Sequence, residues 1–434
     1  MARATGRSRE TKKKRPTPMR RSLDLIWIID IREIRANWQT SAYRLASLGL
    51  LIAMAASMGL SVDDYNTRKT GYDLRDTQGQ TRAGKRPKLT PSPTPLSVIA
   101  RGLETESERM FIITWSQPRR QPGATILDQG DRNPLLSLFP APDPAHLVKF
   151  AMSLLALFLA YDVISGERQR GTLKLILCGP VGRGVFFAGK LFGVNLSMAL
   201  ALLPAAVLAT VGLCWKLGYV LDEESWYRIL GMLSTTAAFL ILFAQLGIWA
   251  SARARRSAAA LLLVLAIWTV WMIGVPNLAS HLARWISPVP PAAQIEARKS
   301  ELRQGDFDSY IDYANACWAI DDLYVAQVDE QARIAQTLSR LSPLANYTYG
   351  VSALAGTGTA DARQFRDQVI HWDRRQRRAG YDWKGEIPFD PTRLSFAQGL
   401  DEAAPDMVCL LLWNAVFFTL GLHAFARSEI EEEL

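Results

Sequence analysis

The chain has 434 residues, a formal net charge of +9 and a 49% hydrophobic fraction, with a mean hydropathy near zero. Cys178, Cys214, Cys317 and Cys409 stand far apart, which excludes a Cys-x-x-Cys zinc or redox site and a dense disulfide framework; a single Cys214 to Cys317 bridge is left open. His146, His281, His371 and His423 are dispersed and no Gly-x-Ser-x-Gly elbow occurs, so no catalytic constellation or metal cluster is expected. The positive charge lacks the basic, aromatic-interleaved soluble face that a nucleic-acid partner needs.

The apolar residues are clumped. A bilayer-crossing helix takes about 20 mostly apolar residues. Six such runs occur: Tyr43 to Val62, His146 to Ile164, Gly189 to Leu213, Trp226 to Ala250, Ser257 to Pro276 and Pro405 to Ala426. The prediction is an all-α integral membrane protein with a mainly helical extracytoplasmic domain. Its parts are a disordered basic tail (1–21), an amphipathic connecting helix (22–40), spans at 41–62, 146–164, 189–213, 226–250, 257–276 and 405–426, and a final tail at 427–434. Between the spans lie a loop at 165–188 and two long polar segments, 63–145 and 277–404. Lys and Arg concentrate in the first 40 residues, in the loop after span two and at Arg253, Arg255 and Arg256 after span four. Six spans put all three on one side, which the charge bias makes cytoplasmic, together with both termini.

In chain order, the tail is basic and broken by Pro16 and Pro18. Arg20-Arg21 does not open a twin-arginine signal, because Asp24, Asp30, Arg32 and Glu33 follow where an apolar core is required. From Ser22 to Trp38, Leu23, Ile26, Trp27, Ile31, Ile34 and Trp38 recur at helical spacing, as in a helix lying on the inner leaflet. Segment 63–145 is rich in Pro, Gly and charge; Gly84 to Pro95 is a loop, and Phe111 to Ile113 suggest a short strand or buried turn.

The loop after span two reads YDVISGERQRGTLKLILCGPVGRGVFFAGK, Tyr161 to Lys190, with both ends fixed to apolar runs. Leu173, Ile176 and Leu177 share one face of a short helix, with Lys174 turned away. The order Glu167-Arg168, Gly171-Thr172-Leu173, short helix, Pro180, Arg183 and Gly189-Lys190 resembles the loop between the second and third membrane helices of ABC-2-type ABC transporter permeases, here a subset with large extracytoplasmic insertions. Gly184 to Lys190 imitates the phosphate-binding Gly-x-x-x-x-Gly-Lys. Leu191 stands where the magnesium hydroxyl is needed, and no strand precedes the motif.

Asn195 in span three and Gln245 in span four are packing amides or the lining of a substrate path. Trp268 and Trp271 suit an interfacial belt. In segment 277–404, Gln294 to Arg303, Tyr310 to Leu341 and Ala362 to Ala379 read as helices, and Gly350 to Gly358 as a flexible turn. Arg374, Arg375, Arg377 and Arg378 form either a solvated helix end or a phosphate or headgroup site. Asn346-Tyr347-Thr348 matches a glycan acceptor.

The resemblance implies a six-helix, type V exporter-like architecture in the inner membrane, in a chain that is not itself catalytic. Its coupling helix docks a separate ATPase, present in two copies, which binds ATP and Mg; this chain itself binds no cofactor. In that reading Glu167 ties span two to the loop, Gly171 and Pro180 bound the coupling helix, and Arg183 and Lys190 contact the inner leaflet or the ATPase. Ile26, Trp27, Ile31 and Ile34 belong to a connecting helix that touches the ATPase. A second permease, identical or related, and membrane lipid complete the assembly. Export is the first function implied; force transmission to a periplasmic protein is the alternative.

Overall fold

The computed structural model describes residues 18–81, 88–89, 91–102, 110–113, 124–127, 143–178, 182–218, 221–378 and 389–427. Residues 1–17 and 428–434, Pro180, and residues 84–87 and 90 of the predicted loop lie outside the described residues, as do the side chains of Ile26 and Leu177; residues 18–21, predicted as disordered tail, belong to the first helix instead.

Among the described residues six helices are long and apolar enough to cross a membrane: Ser41–Leu74, Pro144–Gln169, Arg183–Gly212, Glu223–Arg253, Ser257–Ile286 and Phe396–Arg427. They are spans one to six, and the chain is a multi-pass membrane protein. The first apolar run ends near Val62, yet its helix continues as a polar rod to Thr81. Spans two and five each contain a π-helical turn, Val148–Met152 and Val270–Gly274.

Span four is the axis of the bundle. Phe239, Leu242, Phe243, Ala244, Leu246, Ile248, Ala250 and Ala252 are fully buried along it, and spans two, five and six surround it. Asp222 caps its start by accepting the Ser225 N–H at 3.0 Å, with Glu223 and Glu224 in the positive first turn. Spans five and six turn most of their apolar surface outward, toward lipid or another chain.

Span three carries a small residue every fourth position on its buried side: Gly189, Gly193, Ser197, Ala201, Ala205 and Ala209. This stripe receives the connecting helix, Pro18–Gln39, and then span one. A methyl at Gly189 would lie 2.9 Å from Ile29 Cγ2, and one at Gly193 2.7 Å from Glu33 Cβ. Only glycine admits so close a crossing, as in other small-residue helix contacts. Asn37 Nδ2 and the Tyr43 hydroxyl then bond Ser197 Oγ and its carbonyl at 3.0 and 2.8 Å.

The two polar segments form a head that is mainly helical but contains a three-stranded antiparallel sheet, ordered β1 (Lys88–Leu89), β2 (Met110–Ile113), β3 (Ala124–Leu127). Phe111 to Ile113 are thus strand. Ile112 pairs with Lys88 and Thr125. Leu89 and Phe389 pack on Phe365, Val369 and Trp372 of the helix Thr359–Arg378, giving the head its own small core. The helices Ala292–Leu302 and Tyr310–Ser339 also form where the periodicity puts them.

Gly350 to Gly358 is not a flexible turn. The helix Pro343–Ala355 runs through most of it, buried along nearly its whole length and wedged between spans four and six. Tyr347 stacks on Phe239 with centroids 4.4 Å apart. Arg228 of span four donates to the Leu354 carbonyl at 3.0 Å, closing the wedge helix's C-terminal end.

Trp268 and Trp271 also depart from expectation, because they turn inward rather than forming a belt. Trp268 Nε1 donates to Ser153 Oγ at 3.0 Å. Trp271 is buried edge-on against Trp413, and its carbonyl, in the π turn, accepts the Ser342 hydroxyl at 2.7 Å. Cys214 and Cys317 are free. Arg374 and Arg378 stand over Trp318 at 5.6 and 5.7 Å, and Arg374 pairs with Asp322, so part of the arginine run is spent on helix packing.

Candidate functional site

The site begins where span two ends. A serine cluster fixes this end: the Ile164 and Ser165 N–H groups both donate to Ser251 Oγ at 2.9 Å, and Ser165 Oγ lies 3.0 Å from Ser257 Oγ. Arg168 then reaches across to span four, donating to the Ala254 and Ala252 carbonyls at 2.8 and 3.1 Å. Those carbonyls are the unsatisfied, negative end of span four, so a guanidinium belongs there.

Gly171 adopts φ 73°, the left-handed conformation glycine takes without strain. The chain thereby turns into the short helix Thr172–Leu177, the one predicted as a coupling helix. The Thr172 hydroxyl sits against both the carbonyl and the carboxylate of Glu167, which ties the helix start to the root of the loop.

Lys190 is the centre of the arrangement. Its ammonium lies 2.7 Å from Glu33 of the connecting helix and 3.5 Å from Glu167. All three side chains are largely buried. One cation thus joins three elements: connecting helix, coupling-loop root and span three. The resemblance implies an inner-leaflet or ATPase contact for Lys190; in the structure its ammonium lies in an internal ion cluster. Removing one member of a buried ion cluster leaves the others under-compensated, which costs stability, although Arg170 and Arg32 also act on Glu167. Asp30, one turn before Glu33, is buried against the same span, and burial followed by the Glu33 charge pushes its carboxyl up to about 6.

The coupling helix presents a different face from the one its spacing suggested. Leu173 is 5% exposed and joins the bundle core, with Ile176 packed beside it. Leu175 is 78% exposed, and Lys174 and Cys178 are exposed with it. The outward face is therefore Leu175, not Leu173.

Arg183 opens span three at the surface. On the connecting helix, Trp27 is exposed and Ile31 and Ile34 half-buried, while Ile29, Asp30, Glu33 and Asn37 make the contact with span three. Asn195 is apart from this site and donates to its own helix at Leu191 O, 2.9 Å. Gln245 is buried in span four with its side-chain carbonyl unbonded among the described residues. Among the described residues neither amide forms a bond between spans. Sequence reading missed Asp30, Glu33, Ser251 and Gly193; the Gly-x-x-x-Gly from 189 to 193 was the available signal for the last.

The sequence matches the family described as ABC-2 family transporter protein over residues 37–430. It is also similar to a "Probable ABC transporter permease protein NosY" of Pseudomonas aeruginosa. That match is 33% identical over 157 residues, 33% of this chain and 57% of the relative. A protein of the same description from Stutzerimonas stutzeri is 52% identical over 59 residues, 14% of this chain and 21% of the relative. The chain therefore aligns with less than two thirds of either relative's length.

Proposed function

Because the chain belongs to the ABC-2 transporter family, we propose that it is the membrane-spanning permease subunit of an ABC transporter, driven by separate ATPase subunits that bind ATP and Mg. The observation that carries this reading is the shared Lys190 ion cluster, which joins the connecting helix to the root of the coupling loop. A push on the exposed Leu175 face would reach the connecting helix and spans two, three and four together. Two ATPase copies and a second permease would complete the machine. The basic flanks favour an inner-membrane orientation with the coupling helix and both termini in the cytoplasm, and export as the direction of transport.

A second reading, force transmission to a periplasmic partner, has its own support. The head is fastened to the spans: Arg340 pairs with the buried Asp406 of span six at 2.8 Å, Arg228 holds Leu354, and Ser342 holds Trp271. Rocking of the spans would move such a head.

The test of docking is Leu175→Asp. Co-purification with the ATPase subunit is expected to fall at least tenfold while helix content is unchanged; undiminished association would remove Leu175 from the docking surface. ATP-dependent uptake of a candidate substrate into inverted vesicles separates export from force transmission.

A further inference from the structure

At the end of span two opposite the coupling loop lies a cavity of about 160 Å³, walled by the start of span two, the wedge helix Pro343–Ala355 and the first turns of span six. An engineered apolar hole of about 150 Å³ takes a benzene molecule, so there is room for about six non-hydrogen atoms.

Three carboxylates line the cavity, and each is already answered. Asp143 accepts the Arg101 and His146 N–H groups at 2.8 and 2.7 Å and lies 2.7 Å from His146 Nδ1. Asp406 pairs with Arg340. Glu402 accepts from Thr359 at 3.1 Å and pairs with Arg363 at 3.4 Å. Lys149 lines the same wall and differs from them. Among the described residues its ammonium has no carboxylate within ion-pair distance, and it stands 5.0 Å from the Phe150 ring. The nearest acid acting on it, Asp143, does so from beyond that distance and is already held by Arg101 and His146; a half-buried ammonium so weakly matched is unfavourable, and an anion in the cavity would relieve it.

The other walls limit that anion. Tyr347, Val351 and Ala145 present apolar surface, and the single ammonium of Lys149 can match one negative charge on a ligand, while a second would face the neighbouring carboxylates with no cation of its own. We propose that this cavity binds a small monocarboxylate, its carboxylate on Lys149 Nζ and its short alkyl chain against Tyr347 and Val351.

The experiment is calorimetric titration of the full-length protein, in phosphatidylcholine nanodiscs at pH 7, with sodium butyrate. Saturable binding is expected, weakened at least tenfold in Lys149→Gln and retained in Lys149→Arg, with thermal melting confirming that both variants fold. Inorganic phosphate is expected to give no saturable heat. In the unmodified protein, irradiation of aromatic protons should transfer saturation to the butyrate methyl group, a readout independent of any variant. No saturable heat with butyrate, unchanged affinity in Lys149→Gln, or no transfer would each overturn the site; phosphate binding as tightly as butyrate would overturn its preference for a single charge.

Discussion

The two ends of span two are both polar and both buried, yet they are built differently. At the coupling end one ammonium, Lys190, serves two carboxylates from separate elements. The helix that projects beyond them is only six residues long and rests on Leu173 and Ile176. At the head end Asp143, Asp406 and Glu402 each have a side-chain partner of their own, and aromatic contacts lie near the pairs. Sharing one cation ties three elements to each other; private pairs hold each contact independently. The coupling end is thus a joint and the head end a socket.

The sharpest way to break this contrast is to remove one charge at each end. Lys190→Met leaves Glu33 and Glu167 buried together, and losing one partner of a buried ion pair costs on the order of 3–5 kcal/mol. At the head end Asp406 is 1% exposed but Arg340 is 24% exposed. Asp406→Asn therefore leaves a charge that water still reaches, and should cost about 1–3 kcal/mol. Thermal melting in one detergent should rank Lys190→Met below Asp406→Asn. Adding Glu33→Gln and Glu167→Gln to Lys190→Met should restore much of the loss. Equal losses at the two ends would remove the distinction between joint and socket.

Next in size is Gly193→Leu, which drives a branched side chain into Glu33. The connecting helix should leave span three, so protease cleavage near its start should quicken by at least tenfold, while the wedge helix and head stay protected.

The smallest effect is a pH dependence of the joint. The Asp30 carboxyl titrates near 6 in the folded chain, above its ordinary 3.8, so folding favours its neutral form. The stabilisation is fully present below about pH 4, declines as pH rises through 6, and is flat above it. Amide exchange of the connecting helix, corrected for intrinsic rates, should be several-fold faster at pH 7.5 than at pH 5, and Asp30→Asn should abolish the difference.

The same contrast explains what the sequence made legible. The six spans were visible because each is a continuous apolar run, and the coupling loop because Glu167-Arg168 and Gly171-Thr172-Leu173 stand in fixed order between two of them. The docked face of the connecting helix was hidden because it is largely polar, with Ile29 its apolar member. Asp30, Glu33 and Asn37 make the contact, whereas the apolar periodicity of Trp27, Ile31 and Ile34 marks a face that does not. The wedge helix was missed because Ser, Gly, Asn and Tyr dilute its hydropathy; its burial comes from neighbours far away in the chain, Phe239 and Arg228. On the coupling helix, periodicity found the apolar stripe but could not say whether it faced the bundle or a partner. Leu173 went inward and Leu175 was left outside.

The account stands on the coupling helix being a cytoplasmic surface that another protein covers. Cys178, exposed at the end of that helix, reports on this directly in a chain whose other three cysteines are replaced by serine. A membrane-impermeant maleimide should label Cys178 in inverted membrane vesicles and not in intact cells, and co-expression of the ATPase subunit should reduce that labelling at least fivefold. Labelling of Cys178 in intact cells would contradict it.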